Sequence, residues 1–155
     1  MKKYKRIVGF CLFLFCCFCL ISCGSSKDTL KLNCSKELSN ADGLTTYMTS
    51  TAEYEGDTIV KVSVKWTAKY DKTKYAEEEI QKLANDTADS YKNTYGNNSN
   101  ITISSNKLND DEYGVIININ YKNLSKEERD QYGFNFPDGL EKSKSDFEAS
   151  GYTCQ

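Results

Sequence analysis

From Val60 to Tyr70 apolar and polar residues alternate without a break: Val60, Val62, Val64, Trp66, Ala68 and Tyr70 against Lys61, Ser63, Lys65, Thr67 and Lys69. A period of two held over eleven residues fits an extended strand with one face toward a core and the other toward water. A helix, with 3.6 residues per turn, would scatter both sets around its axis. The rest of the chain must therefore give this strand neighbours and give its apolar face a cover.

Neighbours are readable on both sides. Upstream, the Thr- and Tyr-rich stretch Leu44 to Tyr54 joins the strand through Glu55-Gly56-Asp57 as a β-hairpin, and Leu30 to Cys34 reads as a short strand before it. Downstream, Ile101 to Leu108 pairs through Asn109-Asp110-Asp111 with Tyr113 to Tyr121 as a second hairpin. Between the hairpins the period changes: Ala76, Ile80, Leu83, Ala84, Thr87 and Tyr91 fall on one face of a helix predicted over Lys74 to Tyr95. Thr73 is its expected N-cap, Glu77, Glu78 and Glu79 suit the positive end of its dipole, and Gly96 suits a left-handed C′ position. Ser125-x-x-Glu128 reads as a capping box for a short helix ending at Gly133. Asp138-x-x-Glu141 after Pro137 opens another, ending before Gly151, and Tyr152-Thr153-Cys154 returns to the sheet. The expected fold class is α+β: an antiparallel β-sheet of hairpins, one long helix packed on a face, short C-terminal helices, and the ends tied by a disulfide.

That disulfide follows from placing the cysteines. Met1 to Arg6 is basic, and Ile7 to Leu20 is a fourteen-residue run without charge, too short for a spanning helix and shaped like the core of a signal peptide. Leu20-Ile21-Ser22-Cys23 resembles a bacterial lipobox, with an aliphatic residue at −3, a small one at −1 and the obligatory cysteine at +1. Residues 1–22 are thus expected to be removed, with Cys23 lipidated. Residues 23–28 are expected to be a flexible tether and 29–155 one α+β domain. A diacylglycerol brings two acyl chains, and each buried methylene contributes about 0.8 kcal/mol, so the anchor is stable where one chain would be marginal. Of seven cysteines, Cys11, Cys16, Cys17 and Cys19 leave with the leader, and Cys23 carries lipid. Cys34 and Cys154 are the obvious remaining pair in an extracytoplasmic domain. Two separate buried thiols, or a redox-active couple, are the alternatives, and the spacing is nothing like C-x-x-C.

Loss of Lys2, Lys3, Lys5 and Arg6 leaves sixteen basic and twenty-two acidic residues, a formal charge of −6. An acidic surface repels phosphate backbones, so nucleic acid is a poor partner. The chain has no histidine, which removes the usual general base near neutral pH, the Ser-His and Cys-His nucleophile pairs and the commonest zinc ligand. What chemistry the letters offer has a plainer reading in each case. Ser104-x-x-Lys107 matches a serine acyl-transfer motif that works on a helix, but on a strand the two residues face opposite ways. Glu77 to Glu79 fan around a helix instead of meeting across a cleft. Asp110, Asp111 and Glu112 are too compact for a twelve-residue calcium loop and read as a solvated turn. Trp66, Tyr70, Tyr113 and Tyr121 could form an aromatic platform, but lie on apolar strand faces and read as core.

With the lipobox, the Leu32-Asn33-Cys34-Ser35 segment, the hairpin and long helix, and Gly151-Tyr152-Thr153-Cys154 in place, the chain resembles the small YehR-like lipoproteins of bacteria. The resemblance implies an α+β sheet-and-helix fold and offers no catalytic residue. No cofactor and no metal site are expected. The expected role is a lipid-anchored, non-enzymatic binding module on the extracytoplasmic face of the cell membrane, its partners being the membrane through Cys23 and an envelope protein or ligand. The alternative is a small envelope enzyme using Glu53, Glu55 or Asp57. A two-lobed solute-binding protein does not fit in the 133 residues that follow the leader. Cys23→Ser is expected to release or mislocalise the protein while its fold and the Cys34 to Cys154 bridge persist, as read by membrane fractionation and non-reducing electrophoresis; unchanged retention and size would sink the lipoprotein reading.

Overall fold

The computed structural model describes residues 29–155; the leader, Cys23 and the tether lie outside them. Six strands form one antiparallel sheet: β1 (Thr29–Ala41), β2 (Leu44–Glu55), β3 (Thr58–Tyr70), β4 (Ile101–Asn109), β5 (Glu112–Ile119) and β6 (Thr153–Cys154). Their spatial order is β4-β5-β3-β2-β1-β6, which makes the alternating strand β3 an interior one. Three helices accompany them: α1 (Glu77–Tyr95), α2 (Lys126–Tyr132) and α3 (Leu140–Ala149). None of the described helices is long and apolar enough to cross a membrane.

The pleat sorts most of β3 as its letters require, although Thr67 on the polar side is also buried. Val62, Ala68 and Tyr70 are buried on the inner face, level with Ala52 of β2 and with Tyr113 and Ile119 of β5. α1 packs on β3, β4 and β5 through Ile80, Ala84 and Ala88. α3 covers β1 and β6. The gap between is filled by rings: Tyr91, Tyr95, Tyr132 and Phe134 on one side, Tyr121, Phe136, Phe147 and Tyr152 on the other. Arg129 lies 4.4 Å over the Tyr121 ring while its Nε donates to the Leu124 carbonyl.

Cys34 and Cys154 are bonded, across a separation of 120 residues. They face each other where β6 meets β1, and the neighbouring Asn33 and Gln155 exchange both backbone hydrogen bonds (3.1 and 2.8 Å). Closing a loop of this length stabilises a fold by roughly 2 to 5 kcal/mol.

Several boundaries differ from the expectation, each for a local reason. β1 runs on to Ala41 because Asp42 and Gly43 (φ 55° and 87°) form the tight turn that a two-residue hairpin needs, with positive φ at both positions. α1 begins at Glu77, not Lys74: Asp71 Oδ1 accepts from both the backbone and the hydroxyl of Thr73, holding it in a turn. Ala76 takes the capping position, its N–H donating to the Glu79 carboxylate at 3.0 Å. Gly96 is right-handed (φ −68°), not left-handed; a Cβ there would lie 2.5 Å from the Lys92 carbonyl oxygen, so close approach demands the glycine. β5 stops at Ile119 and Tyr121 opens a 3-10 turn. The last helix is capped by Gly139, not Asp138. The Ser125–Glu128 capping box and its end at Gly133 stand as expected.

Among the described residues, the core hydroxyls Ser50 Oγ and Tyr54 Oη make no hydrogen bond of good geometry. Ser143, beside Tyr54, donates its hydroxyl to the Pro137 carbonyl, and its oxygen is at most a weak acceptor for Tyr54. A buried hydroxyl without a partner keeps its desolvation cost and returns nothing. Tyr54→Phe is therefore expected to unfold in urea at the same stability as the parent or up to about 1 kcal/mol higher; a clear loss would show that the hydroxyl has a partner in solution.

Candidate functional site

Among the described residues no helix is packed on the other face of the sheet, which carries the polar halves of the alternating strands together with Tyr47 and Ile116. Register places Asn33, Thr51, Ser63, Asn118 and Thr102 in one row running across β1, β2, β3, β5 and β4. The row is internally bonded: Thr51 donates its hydroxyl to Asn33 Oδ1 (2.8 Å), and Ser63 donates to Asn118 Oδ1 (2.9 Å). Beside it Lys31, Glu53 and Lys61 form a second row, with Lys31 Nζ 2.8 Å from Glu53 Oε1.

At this end the sheet opens. β3 and β5 pair only as far as Val62 and Ile119, and Asn120 donates instead to the Asn100 carbonyl (2.8 Å). The β2–β3 hairpin and the 99–100 loop separate around a groove of about 480 Å³ lined by Glu53, Lys61, Ser63, Asn100, Thr102 and Asn118 among others. Its loop wall is fixed from behind. Buried Asn98 accepts from the Asn100 backbone (2.9 Å) and donates to Glu128 Oε1 (2.6 Å), and the other Glu128 oxygen caps α2.

Of the three carboxylates proposed for catalysis, Glu53 alone lines the groove. The Lys31 ammonium bonded to it, helped by Lys61, holds its carboxyl below the usual range and keeps it ionised at neutral pH. Glu55 pairs with Lys122 (3.6 Å), and Asp57 sits in the hairpin turn with its carbonyl accepting from Gly139 (2.8 Å). They do not converge.

The other sequence candidates also find structural partners. Ser104 accepts from Asn106 on the open face, whereas Lys107 bonds Glu77 on the helix side. Glu77 also accepts from the Tyr113 hydroxyl (2.7 Å), and Lys107 and Tyr113 together lower its pKa. Tyr70, Tyr113 and Tyr121 are buried and Trp66 packs against the same core. Asp110 and Asp111 form the β4–β5 turn, where their carbonyls accept from Tyr70. Among the described residues no group of three or more His, Cys, Asp or Glu could hold a metal ion. The groove itself was not anticipated. Its polar residues were legible singly, as outward positions, but their assembly depends on which strands lie side by side.

An antiparallel sheet with helices on one face and a polar groove on the other defines an α+β protein with an exposed sheet surface. No family model matches the chain, and no curated protein matches it. Among solved structures, the chain is similar to one described as the NMR structure of the protein from Streptococcus pneumoniae TIGR4. The TM-score is 0.57 and the identity 15%, over 88% of this chain and 90% of that one. That likeness extends to the fold alone.

A carboxylate with a lowered pKa contributes stability above its unfolded value and loses it as pH falls through the folded one. The thermal stability gap between the parent and Glu53→Gln is accordingly expected to be largest near neutral pH. It should close as pH falls below the ordinary value of 4.5. A gap that persists unchanged at pH 3 in thermal melts would mean the Lys31 contact is not electrostatic.

Proposed function

We propose that this chain is a lipid-anchored surface protein of a bacterium, held to the membrane through diacylglycerol on Cys23, whose domain binds a ligand or envelope protein in the groove without chemistry of its own. The observation that carries this reading is the groove on the uncovered sheet face, where Glu53, Lys61, Ser63, Asn118 and Asn120 share a concavity with the apolar Val62 and Ile119. Its walls are fixed by Asn98 and Glu128 from one side and by the Lys31–Glu53 pair from the other. Pre-organised polar groups that converge on a concavity are what a recognition site needs.

The tether supports it. Thr29 pairs with Glu55, so the chain enters the sheet at the groove end, and the five residues Gly24 to Asp28 span at most about 18 Å. A groove so placed serves ligands presented close to the membrane. The competing reading, a carboxylate-dependent envelope enzyme, rests on Glu53 in the groove. Glycoside or amide cleavage by carboxylates needs a protonated partner as well, and Glu53 is clamped in its ionised form.

Capture from intact cells tests the reading. The parent protein is expected to retain a reproducible partner or ligand that the groove variant Lys61→Glu with Asn118→Ala loses, at unchanged circular dichroism. Capture that ignores the variant, or turnover of a wall fragment abolished by Glu53→Gln, would reverse it.

A further inference from the structure

Resting on the groove reading, we propose the ligand class: an extended anionic glycan, a chain of sugar residues bearing carboxylates, laid across the strands along the row from Asn33 to Thr102. Three observations lead there.

The first is direction. The five side chains follow one another from strand to strand, so they repeat at the strand spacing of roughly 4.8 Å and span about 19 Å. That spacing is close to the length of one pyranose in an extended glycan, which offers oxygens at each residue. An extended peptide repeats at about 3.3 Å and gains most by pairing its backbone along an edge strand, not by crossing a sheet face.

The second is the hydrogen-bonding pattern. The Thr51 and Ser63 hydroxyls donate into Asn33 Oδ1 and Asn118 Oδ1, which leaves both exposed NH₂ groups free to donate, while the hydroxyl oxygens keep lone pairs that accept. The row therefore offers donors to carboxylates, ring oxygens and acyl carbonyls and acceptors to hydroxyls, the mixed pattern a glycan presents.

The third is charge. The rows flanking it hold Lys31, Lys61 and Lys65 against one carboxylate, Glu53, which Lys31 already neutralises. Lys61 is exposed and has no ion pair within 4 Å among the described residues, although acidic residues outnumber basic ones in the chain. The rows flanking the polar one thus form a local basic strip in an acidic domain, with Glu37 and Glu112 of the same face lying farther along β1 and β5. No aromatic side chain is among the described residues that line the groove, and the Lys31 and Lys61 contribution to binding weakens with salt.

The test uses the full chain in a neutral detergent, with a hexamer of galacturonic acid as probe, its methyl-esterified counterpart, and phosphatidylglycerol vesicles, read by isothermal titration calorimetry. The free acid is expected to bind at least tenfold more tightly than the ester. Lys61→Gln with Asn118→Ala is expected to weaken it at least tenfold, Lys65→Gln alone several-fold, and Lys142→Gln on α3 not at all. Equal binding of acid and ester, or indifference to the groove variants, overturns the proposal. Groove-dependent binding of the vesicles without the glycan also overturns it, in favour of a lipid headgroup. If no glycan binds while groove-dependent capture from cells persists, the ligand class is wrong and the binding-module reading stands; if both fail, both are wrong.

Discussion

Everything on either side of this sheet depends on the register of β3. The strand is hydrogen-bonded to β2 on one side and β5 on the other, so its parity fixes theirs. A slip of one residue would turn Lys61, Ser63 and Lys65 into the core and expose Val62, Val64 and Trp66. The buried row of Ala52, Val62 and Ile119 and the polar row of Thr51, Ser63 and Asn118 are two faces of one pairing. Irregularities occur only near strand ends, between Glu37 and Ser39, Glu53 and Tyr54, and Lys107 and Asn109. There the parity can change without disturbing either row.

A sheet covered on one face has one core to live on. Cross-strand polar pairs contribute only about 0.2 to 1 kcal/mol each, so the open face adds little. The inner face must make up the difference, and it is packed with large side chains, Tyr54, Ile59, Val62, Val115 and Ile119 among the most buried. The disulfide adds to it at the outer edge. By pinning β6 against Cys34 and Ser35, it also blocks the middle of the outer edge of the thirteen-residue β1, an edge that would otherwise be a template for edge-to-edge association.

How far this could be read in advance follows from the range of each interaction. Alternation in β3 and the Ser125–Glu128 box are properties of neighbours in sequence and appear where the letters place them, whereas the buried face of α1 is Ile80, Ala84 and Ala88, with Leu83 exposed and Ala76 ahead of the helix. The Asp42-Gly43 turn is equally local, but the stretch Ser35 to Asn40 before it has Leu38 as its one apolar residue and so lacks the alternation that marks a strand. Thr73 failed as a cap because Asp71, two residues away, outcompeted the helix for its backbone and hydroxyl. The groove was of another kind. Ser63 meets Asn118 from 55 residues away, and only because β5, not β4, lies beside β3. Period tells which residues face water, but the order of strands tells which of them touch.

The staple and the row are joined through one residue. Asn33 exchanges backbone hydrogen bonds with Gln155 next to the disulfide, while its side chain accepts from Thr51 at the head of the polar row. Cys34 faces the core and Asn33 the open face, as adjacent strand residues must. The carboxyl end of the chain thus fixes the first member of the row, just as Glu128 fixes the far wall through Asn98. Elements outside the polar row thus bond to it at Asn33 and to the groove wall at Asn98, so the carboxyl-terminal strand and α2 help set the positions of polar groups on the open face. Side chains held in place by such bonds have less conformational freedom left to lose than freely solvated ones.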